Sequence, residues 1–396
     1  MKNQHILITG GGIGGLTAAL CLAKRGHRID LFEQAPSFEE IGAGIQLSPN
    51  CSRVLHHLGL QESLKKFGFL PEGTQLRHWK TSAILSESKL GDAATLQFGA
   101  PYYHIHRGDL LRLLVDAASQ QQNISLHLSC NIENFSQNDH GVLVEANNQS
   151  FKGDLLIGAD GIHSKIRASL WGDESPRFTG NIAWRAVVPT HLLAPGIVKP
   201  MSTAWLGPHK HFVHYYVKGG EFVNCVCVVE KKGWQTESWT EPGNLSELKS
   251  DFHGWHNNIQ QLIDNIDEAQ LFKWALHDRR PMTQWTKQRV TLLGDACHPT
   301  LPFMAQGAAM AIEDSMVIAD CLSVDTSVNK ALQHYEQLRK RRTAAIQNGS
   351  RRNAKVFHLS GIPAWLRNRA MKTSQQHIMK GIYQYDATVA VASNPL

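Results

Sequence analysis

The sequence predicts a mixed α/β chain: a nucleotide-binding unit on a parallel sheet, an inserted and mostly antiparallel β-sheet, and a helical C-terminal segment. Three observations predict it. The first forty residues run strand, glycine turn, helix, strand. Two more apolar strands, far apart in the chain, end in Asp-Gly and Gly-Asp. From about 180 to 230 the chain turns rich in Val, Trp, Tyr and Phe, with period-two stretches.

Composition narrows the classes. With 396 residues, 42% hydrophobic and 19% charged, the chain has room for two or three domains and is too apolar for disorder. Forty basic against 34 acidic residues give a net charge of +6, an ordinary surface that predicts no nucleic-acid partner. No apolar run spans a bilayer and Met1 to Thr9 is no secretory signal, so we expect no membrane partner and a cytoplasmic location. The seven cysteines form no C-x-x-C pair, which predicts free thiols, no structural zinc and no metal site.

Each element follows in order. His5 to Thr9 is an apolar strand, and Leu16 to Arg25 carries apolar residues at helical spacing until Gly26 stops it. Ile29 to Phe32 is the next strand, ending at Glu33 and Gln34. Gly10, Gly12 and Gly15 form G-x-G-x-x-G with Gly14 inside it, between strand and helix. This Rossmann-like unit lets backbone N–H groups approach a pyrophosphate, and Glu33 is placed to accept ribose hydroxyls. Arg107 to Gln120 reads as a helix with Asp109 as its cap. Ser125 to Leu128, Gly141 to Ala146 and Leu155 to Ile157 read as strands. Gly207 to Tyr216 reads as one strand, with His211, Val213 and Tyr215 on one side and Phe212, His214 and Tyr216 on the other. Phe222 to Val229 continues the sheet and places Cys225 and Cys227 in its core. Val290 to Leu293 is a buried strand, followed by a helix from about Gly307 to Leu322 and a basic helical tail from Lys330. The run Arg339-Lys340-Arg341-Arg342, with Arg351 and Arg352, reads as a solvated helix face rather than a site for an anionic reductant.

Further motifs decide the kind of dinucleotide. Leu155-Leu156-Ile157-Gly158-Ala159-Asp160-Gly161 ends one strand, and Val290-Thr291-Leu292-Leu293-Gly294-Asp295 ends another. Downstream lies Pro302-Phe303-Met304-Ala305-Gln306-Gly307-Ala308-Ala309-Met310. Ile41-Gly42-Ala43-Gly44-Ile45-Gln46, His106-Arg107-Gly108-Asp109-Leu110, Ala183-Trp184-Arg185-Ala186 and Ala275-Leu276-His277-Asp278-Arg279 complete the set. In this order and over nearly the whole chain, the motifs resemble the class A flavoprotein monooxygenases, the FAD-dependent aromatic hydroxylases. The branch resembled includes salicylate hydroxylase, 3-hydroxybenzoate 6-hydroxylase and 6-hydroxynicotinate 3-monooxygenase.

The resemblance implies tightly but non-covalently bound FAD, with NAD(P)H and O2 as co-substrates and no second dinucleotide domain. It implies hydroxylation of a small phenolic acid through a flavin hydroperoxide, by a monomer or homodimer. Residues 1–70, 101–175 and 280–345 would bind FAD, 71–100 and 176–279 the substrate, and 346–396 would form a helical tail. Expected cofactor contacts are Gly10, Gly12, Gly14, Gly15, Glu33, Gln34, Gln46, Arg107, Ile132, Asp160, Asp295, Gln306, Gly307, Ala308, Ala309 and Met310. Asp295 sits where ribityl hydroxyls are held, and the helix from Gly307 points its N-terminus at the flavin pyrimidine. His211 and Tyr215 are the expected acid–base partners of a phenol, and Pro302 offers its carbonyl toward the reacting oxygen. Gln46 would meet the substrate or the flavin ring, and Arg185 would pair with the substrate carboxylate, brace the flavin or pack under a loop, with Phe303 and Met304 as an apolar wall. Phe303 and Gln46 differ from the hydroxynicotinate enzyme's residues, which favours a hydroxybenzoate over a pyridine. The rival expectations are a flavin-dependent epoxidase and a flavin-binding redox sensor without turnover.

Overall fold

The computed structural model describes residues 3–38, 43–231, 233–234, 241–325 and 327–394, apart from the side chains of 372–378. Ile41 and Gly42 of the glycine-rich run lie outside the described residues.

The apolar runs of the N-terminal half meet in a six-stranded sheet. Its order is Thr286–Lys287, Val290–Leu292, Leu155–Gly158, His5–Thr9, Arg28–Phe32, Ile124–His127. Every pair but the first is parallel. Such strands are covered on both faces, and Ile6, Leu7, Ile8, Leu155, Leu156 and Ile157 are accordingly all buried. The register sets Thr9 beside both Gly158 and Phe32, and Gly158 beside Leu292. Three strands that are distant in sequence therefore end on one edge. The helices Ile13–Ala23 and Gly307–Val324 start at that edge and are buried nearly all round, packed on one another and on the helices Arg107–Ser119 and Val328–Phe357 respectively. Ser315 Oγ donates to the Gly14 carbonyl at 3.1 Å, tying the two together.

The second sheet has seven strands in the order Phe272–Asp278, Arg177–Pro189, Phe222–Glu230, Lys210–Val217, Met201–Gly207, Gly73–His78, Ile84–Lys89. It is antiparallel except where Met201–Gly207 runs parallel to Gly73–His78. Alternation divides its faces. Trp184, Trp205, Phe212, Cys225 and Cys227 pack with Phe252, Trp255 and Ile259 in one core, on the side of the helices Leu245–Asp251 and Asn257–Asp264. His211, Val213 and Tyr215 are on the opposite face. The long helix Val328–Phe357 braces the loop ahead of Gly307–Val324: Ser350 Oγ donates to the Leu301 carbonyl at 2.6 Å and Asn353 Nδ2 to that of Phe303 at 3.3 Å.

Three expectations need correction. Gly207 to Tyr216 is not one strand: Pro208 and His209 form a turn, with His209 at φ 61°, between Met201–Gly207 and Lys210–Val217. Asp109 does not cap Arg107–Ser119; it lies in the first turn and pairs with Arg112 at 3.1 Å. The basic run is a solvated face only at Arg341 and Arg352, which are exposed; Arg339 is 0% exposed and grips Glu313 at 2.6 Å and Asp314 at 2.7 Å. Arg342 pairs with Glu313, and Arg351 with Asp278. All seven cysteines are free and buried.

Candidate active site

A cavity of about 870 Å³ lies between the shared strand-end edge of the first sheet and the open face of the second. At one end it is lined by Gly12, Gly14, Arg107, Asp295, Gly307 and Ala308. At the other it is lined by Gln46, Arg185, His211, Tyr215, Phe303 and Met304.

The first end is built for an anion. Gly12 caps Ile13–Ala23 with extended backbone, no side-chain cap and no acidic residue in the first turn. Its N–H groups are thus unclaimed by side chains, and a Cβ placed on Gly12 meets nothing within 4 Å. Gly10 and Gly15 make the turn possible: a Cβ on Gly15 would stand 1.9 Å from the Gly10 carbonyl oxygen. Glu33 anchors the turn, accepting from the Gly11 and Ala35 N–H groups at 2.7 and 2.8 Å. Gly307–Val324 likewise starts without a side-chain cap or acidic first turn. Asp295 is exposed within the cavity. Its enclosure raises the carboxyl pKa, while His298 and Arg107 pull it back. Asp160 Oδ2 accepts from the Ile166 N–H at 3.2 Å, and its Oδ1 is buried without a partner. Arg167 joins the two strand-end motifs, donating to the Ile162 carbonyl at 2.9 Å and the Ala296 carbonyl at 3.0 Å.

The second end is an aromatic slot. Tyr215 packs so close to Gly44 that a Cβ there would lie 2.6 Å from its ring. Burial pushes the Tyr215 hydroxyl pKa up, against a hydrogen bond with Gln46. Gln46 is itself fixed by the Tyr102 hydroxyl, which donates to Oε1 at 2.6 Å. His211 is 3% exposed, with Phe303 and Phe357 at ring distances of 5.1 and 5.6 Å. Burial, with His358 beside it, drives its pKa well below the histidine range. Arg185 is buried over the Trp274 ring at 4.5 Å.

The structure places the remaining expected residues less directly. Ile132 is buried in the apolar core behind the sheet and does not line the cavity. Gln34 is exposed outside it, and Ala309 and Met310 point into the core. The Gln306 side chain is buried, bound to Ser48 Oγ at 2.9 Å and Asn50 at 3.1 Å. Pro302 lines the cavity, and its carbonyl accepts the Ala305 N–H at 3.1 Å with one of its two lone pairs.

Sequence reasoning missed two groups. One is the buried network in which Glu313 and Asp314 hold Arg339, Asn50 and His298. The other is His358, whose Nε2 lies 2.9 Å from His211 Nδ1 across 147 residues of sequence. The only local signal is the pair Glu313-Asp314 on a mostly apolar helix; His358 has none, because its partners are brought together only by folding.

The FAD binding domain family matches residues 3–350. The chain belongs to this family of flavoprotein monooxygenases. Among curated relatives, this monooxygenase is 36% identical over 377 residues to 3-amino-4-hydroxybenzoate 2-monooxygenase of Streptomyces platensis, covering 95% of this chain and 94% of that one. It is 36% identical over 372 residues to 6-hydroxynicotinate 3-monooxygenase of Pseudomonas fluorescens (92% and 94%). It is 36% identical over 370 residues to 3-hydroxybenzoate 6-hydroxylase of Polaromonas naphthalenivorans (93% and 91%). Among solved structures, Klebsiella pneumoniae HpxO with FAD and uric acid superposes with TM-score 0.84 at 25% identity, covering 99% of this chain and 97% of that one. The monooxygenase uses FAD, and no helix among the described residues is long and apolar enough to cross a membrane.

The residues present fit that cofactor. An uncapped helix start with open space at Gly12 suits a pyrophosphate, and the unpartnered Asp160 Oδ1 and the cavity-facing Asp295 suit its hydroxyls.

Proposed function

We propose that this monooxygenase hydroxylates a small phenolic acid of the hydroxybenzoate type. The balance is substrate, O2, NAD(P)H and a proton giving hydroxylated product, water and NAD(P)+. One observation carries the reading: a single cavity joins an anion-receiving edge to an enclosed aromatic slot holding a buried histidine. The hydroxybenzoates named for two of the relatives support it.

Gly12 and Gly14 would hold the pyrophosphate of FAD, Glu33 its ribose, and Asp295 and Arg107 the middle of the molecule. The start of Gly307–Val324 would lie toward the flavin ring, where its dipole favours negative charge. The FAD-binding unit would comprise 1–70, 101–175 and 280–345, and the substrate unit 71–100 and 176–279. Bound FAD supplies transfer of electrons from NAD(P)H to O2. The chain's own residues do the rest. Arg185 meets the substrate carboxylate as a buried cation. Phe303 and Met304, 6% and 8% exposed, exclude water and protect the oxygen transfer from hydrolytic loss. Tyr215 and Gln46 orient the phenol. His211 takes its proton, raising electron density on the carbons ortho and para to the oxygen.

The test is a panel of salicylate, 3-hydroxybenzoate, 3-amino-4-hydroxybenzoate and 6-hydroxynicotinate with the FAD-loaded enzyme and either NADH or NADPH. A hydroxybenzoate is expected to stimulate reductant consumption and give close to one hydroxylated product per reductant, with little hydrogen peroxide. Consumption that no panel member stimulates contradicts the proposal, and a preference for the pyridine acid contradicts its substrate class.

A further inference from the structure

His211 belongs to a chain of hydrogen bonds that leaves the cavity. His211 Nδ1 lies 2.9 Å from His358 Nε2, and His358 Nδ1 lies 3.0 Å from Glu230 Oε1. Glu230 Oε2 in turn lies 2.9 Å from His209 Nδ1. Burial changes abruptly along this line. His211 and His358 are each 3% exposed, whereas the Glu230 and His209 side chains are 44% and 63% exposed. Backbone bonds fix the arrangement: the His209 N–H donates to the His358 carbonyl at 3.0 Å, and the Glu230 N–H to the His209 carbonyl at 2.9 Å. Arg367 donates to the Val356 and Phe357 carbonyls at 2.9 and 2.8 Å and holds the helix end that carries His358.

The chemistry of the partners determines where the protons sit. An ionised carboxylate only accepts, so His358 carries its proton on Nδ1. A neutral His358 then presents a lone pair at Nε2, and His211 must donate from Nδ1. That leaves the His211 Nε2 lone pair for the cavity, the form a base needs. We propose that Glu230 and His358 form, with His211, a proton exit from the substrate slot to solvent.

This inference rests on the slot being the phenol site. In the outward step, the phenol O–H bond breaks and His211 Nε2 gains the proton. His211 Nδ1 passes its own proton to His358 Nε2, and His358 Nδ1 passes its proton to Glu230 Oε1, which releases one to water. One proton leaves the phenol, one reaches solvent, and each imidazole exchanges one tautomer for the other without becoming charged. Return of a proton to the product oxygen along the same line restores both tautomers. Neutrality matters because burial lowers the His358 pKa to about 4 and holds that of His211 well below its usual range. A buried His211 storing the proton alone would form a disfavoured imidazolium; the chain avoids that state. The charged and titratable groups facing His358 are Glu230 and His209 across the turn and Arg367 on the helix Gly361–Tyr383. His211 otherwise faces Phe303 and Phe357.

The test mixes FAD-loaded enzyme with 3-hydroxybenzoate or salicylate in weak buffer containing a pH indicator, followed by stopped flow. Wild-type enzyme is expected to release a proton on binding. His358→Gln is expected to slow release at least about tenfold, and Glu230→Gln to slow it less, with 3-methoxybenzoate binding unchanged in both. Added imidazole is expected to restore part of the rate in His358→Ala. Proton release at the wild-type rate in His358→Gln and Glu230→Gln overturns the exit. So does a matching loss of 3-methoxybenzoate binding, which marks a structural role. A wild-type enzyme that hydroxylates without releasing a proton also overturns it. One that neither releases a proton nor hydroxylates overturns the phenol-site reading as well. Nitrogen NMR of labelled histidine needs no substrate. The ring signals that vanish in His211→Gln and in His358→Gln are expected to be those of neutral Nδ1–H tautomers in wild type; a neutral Nε2–H form for either ring contradicts the tautomer assignment.

Discussion

Replacing Gly12 by Asp moves protein stability and FAD affinity in opposite directions. The position has φ −75° and ψ −176°, which an aspartate adopts without strain, and no atom lies within 4 Å of the new Cβ. The carboxylate gains the open N–H groups of the first turn, a cap worth a few tenths of a kcal/mol over glycine. With ~2.1 cal/mol/K of unfolding entropy per residue, the melting temperature of a chain this long rises by less than about 1 °C. The same carboxylate stands where the pyrophosphate is expected. Two unit charges about 4 Å apart at an effective dielectric near 20 repel by about 4 kcal/mol. That corresponds to a loss of roughly a thousandfold in FAD affinity. The assays are urea unfolding of the FAD-free protein and titration of FAD into the same sample. An unchanged FAD affinity refutes the placement of the pyrophosphate. A destabilised apoprotein refutes the reading of Gly12 as an open cap.

Three other perturbations probe the rest of the molecule. Arg339→Met leaves Glu313 and Asp314 buried with one cation fewer and is expected to cost about 3–5 kcal/mol at neutral pH. Burial alone would raise both carboxyl pKa values, yet Arg339 with Arg342 holds Glu313 below its usual range, and His298 with Arg339 does the same for Asp314. Without Arg339 protonation relieves the pair, so the deficit in unfolding free energy should shrink between pH 7 and pH 5; a deficit independent of pH contradicts this. His211→Ala should retain FAD but divert most reductant to hydrogen peroxide, as measured by product against peroxide; normal coupling removes His211 from the mechanism. Burial lowers the His104 and His214 pKa values to about 3 and that of His358 to about 4. These groups protonate in the unfolded chain first, so stability is full above the unfolded pKa and falls between about pH 6.5 and 4. Each contributes about 1.4 kcal/mol per pH unit, and thermal melts that are flat across this window would refute it.

Local pattern carried much of this architecture. Strand, glycine turn and helix at 5–23 are set by neighbours in sequence, so their spacing is visible there. The alternation around His211 also survives folding, and places His211 and Tyr215 on the cavity face with His214 behind, where it receives the Trp205 indole N–H at 3.0 Å. Other features have no such trace. Arg339 looks solvated in a basic run because the carboxylates that bury it lie 25 and 26 residues earlier on another helix. The turn at Pro208 and His209 looks like strand in the sequence because aromatic residues continue on its far side. Asp109 resembles a cap, but the chain enters that helix from the strand Tyr103–His106 and sets the acid inside the first turn. His358 became interpretable only once a helix end and a strand from opposite parts of the chain met.

The visible absorption of the bound flavin tests the central claim most directly, because it reports on both ends of the cavity at once. The account predicts that the purified chain binds one FAD and that adding 3-hydroxybenzoate or salicylate shifts its spectrum saturably. A chain that takes up no FAD, or a flavin spectrum that neither acid perturbs, would contradict it.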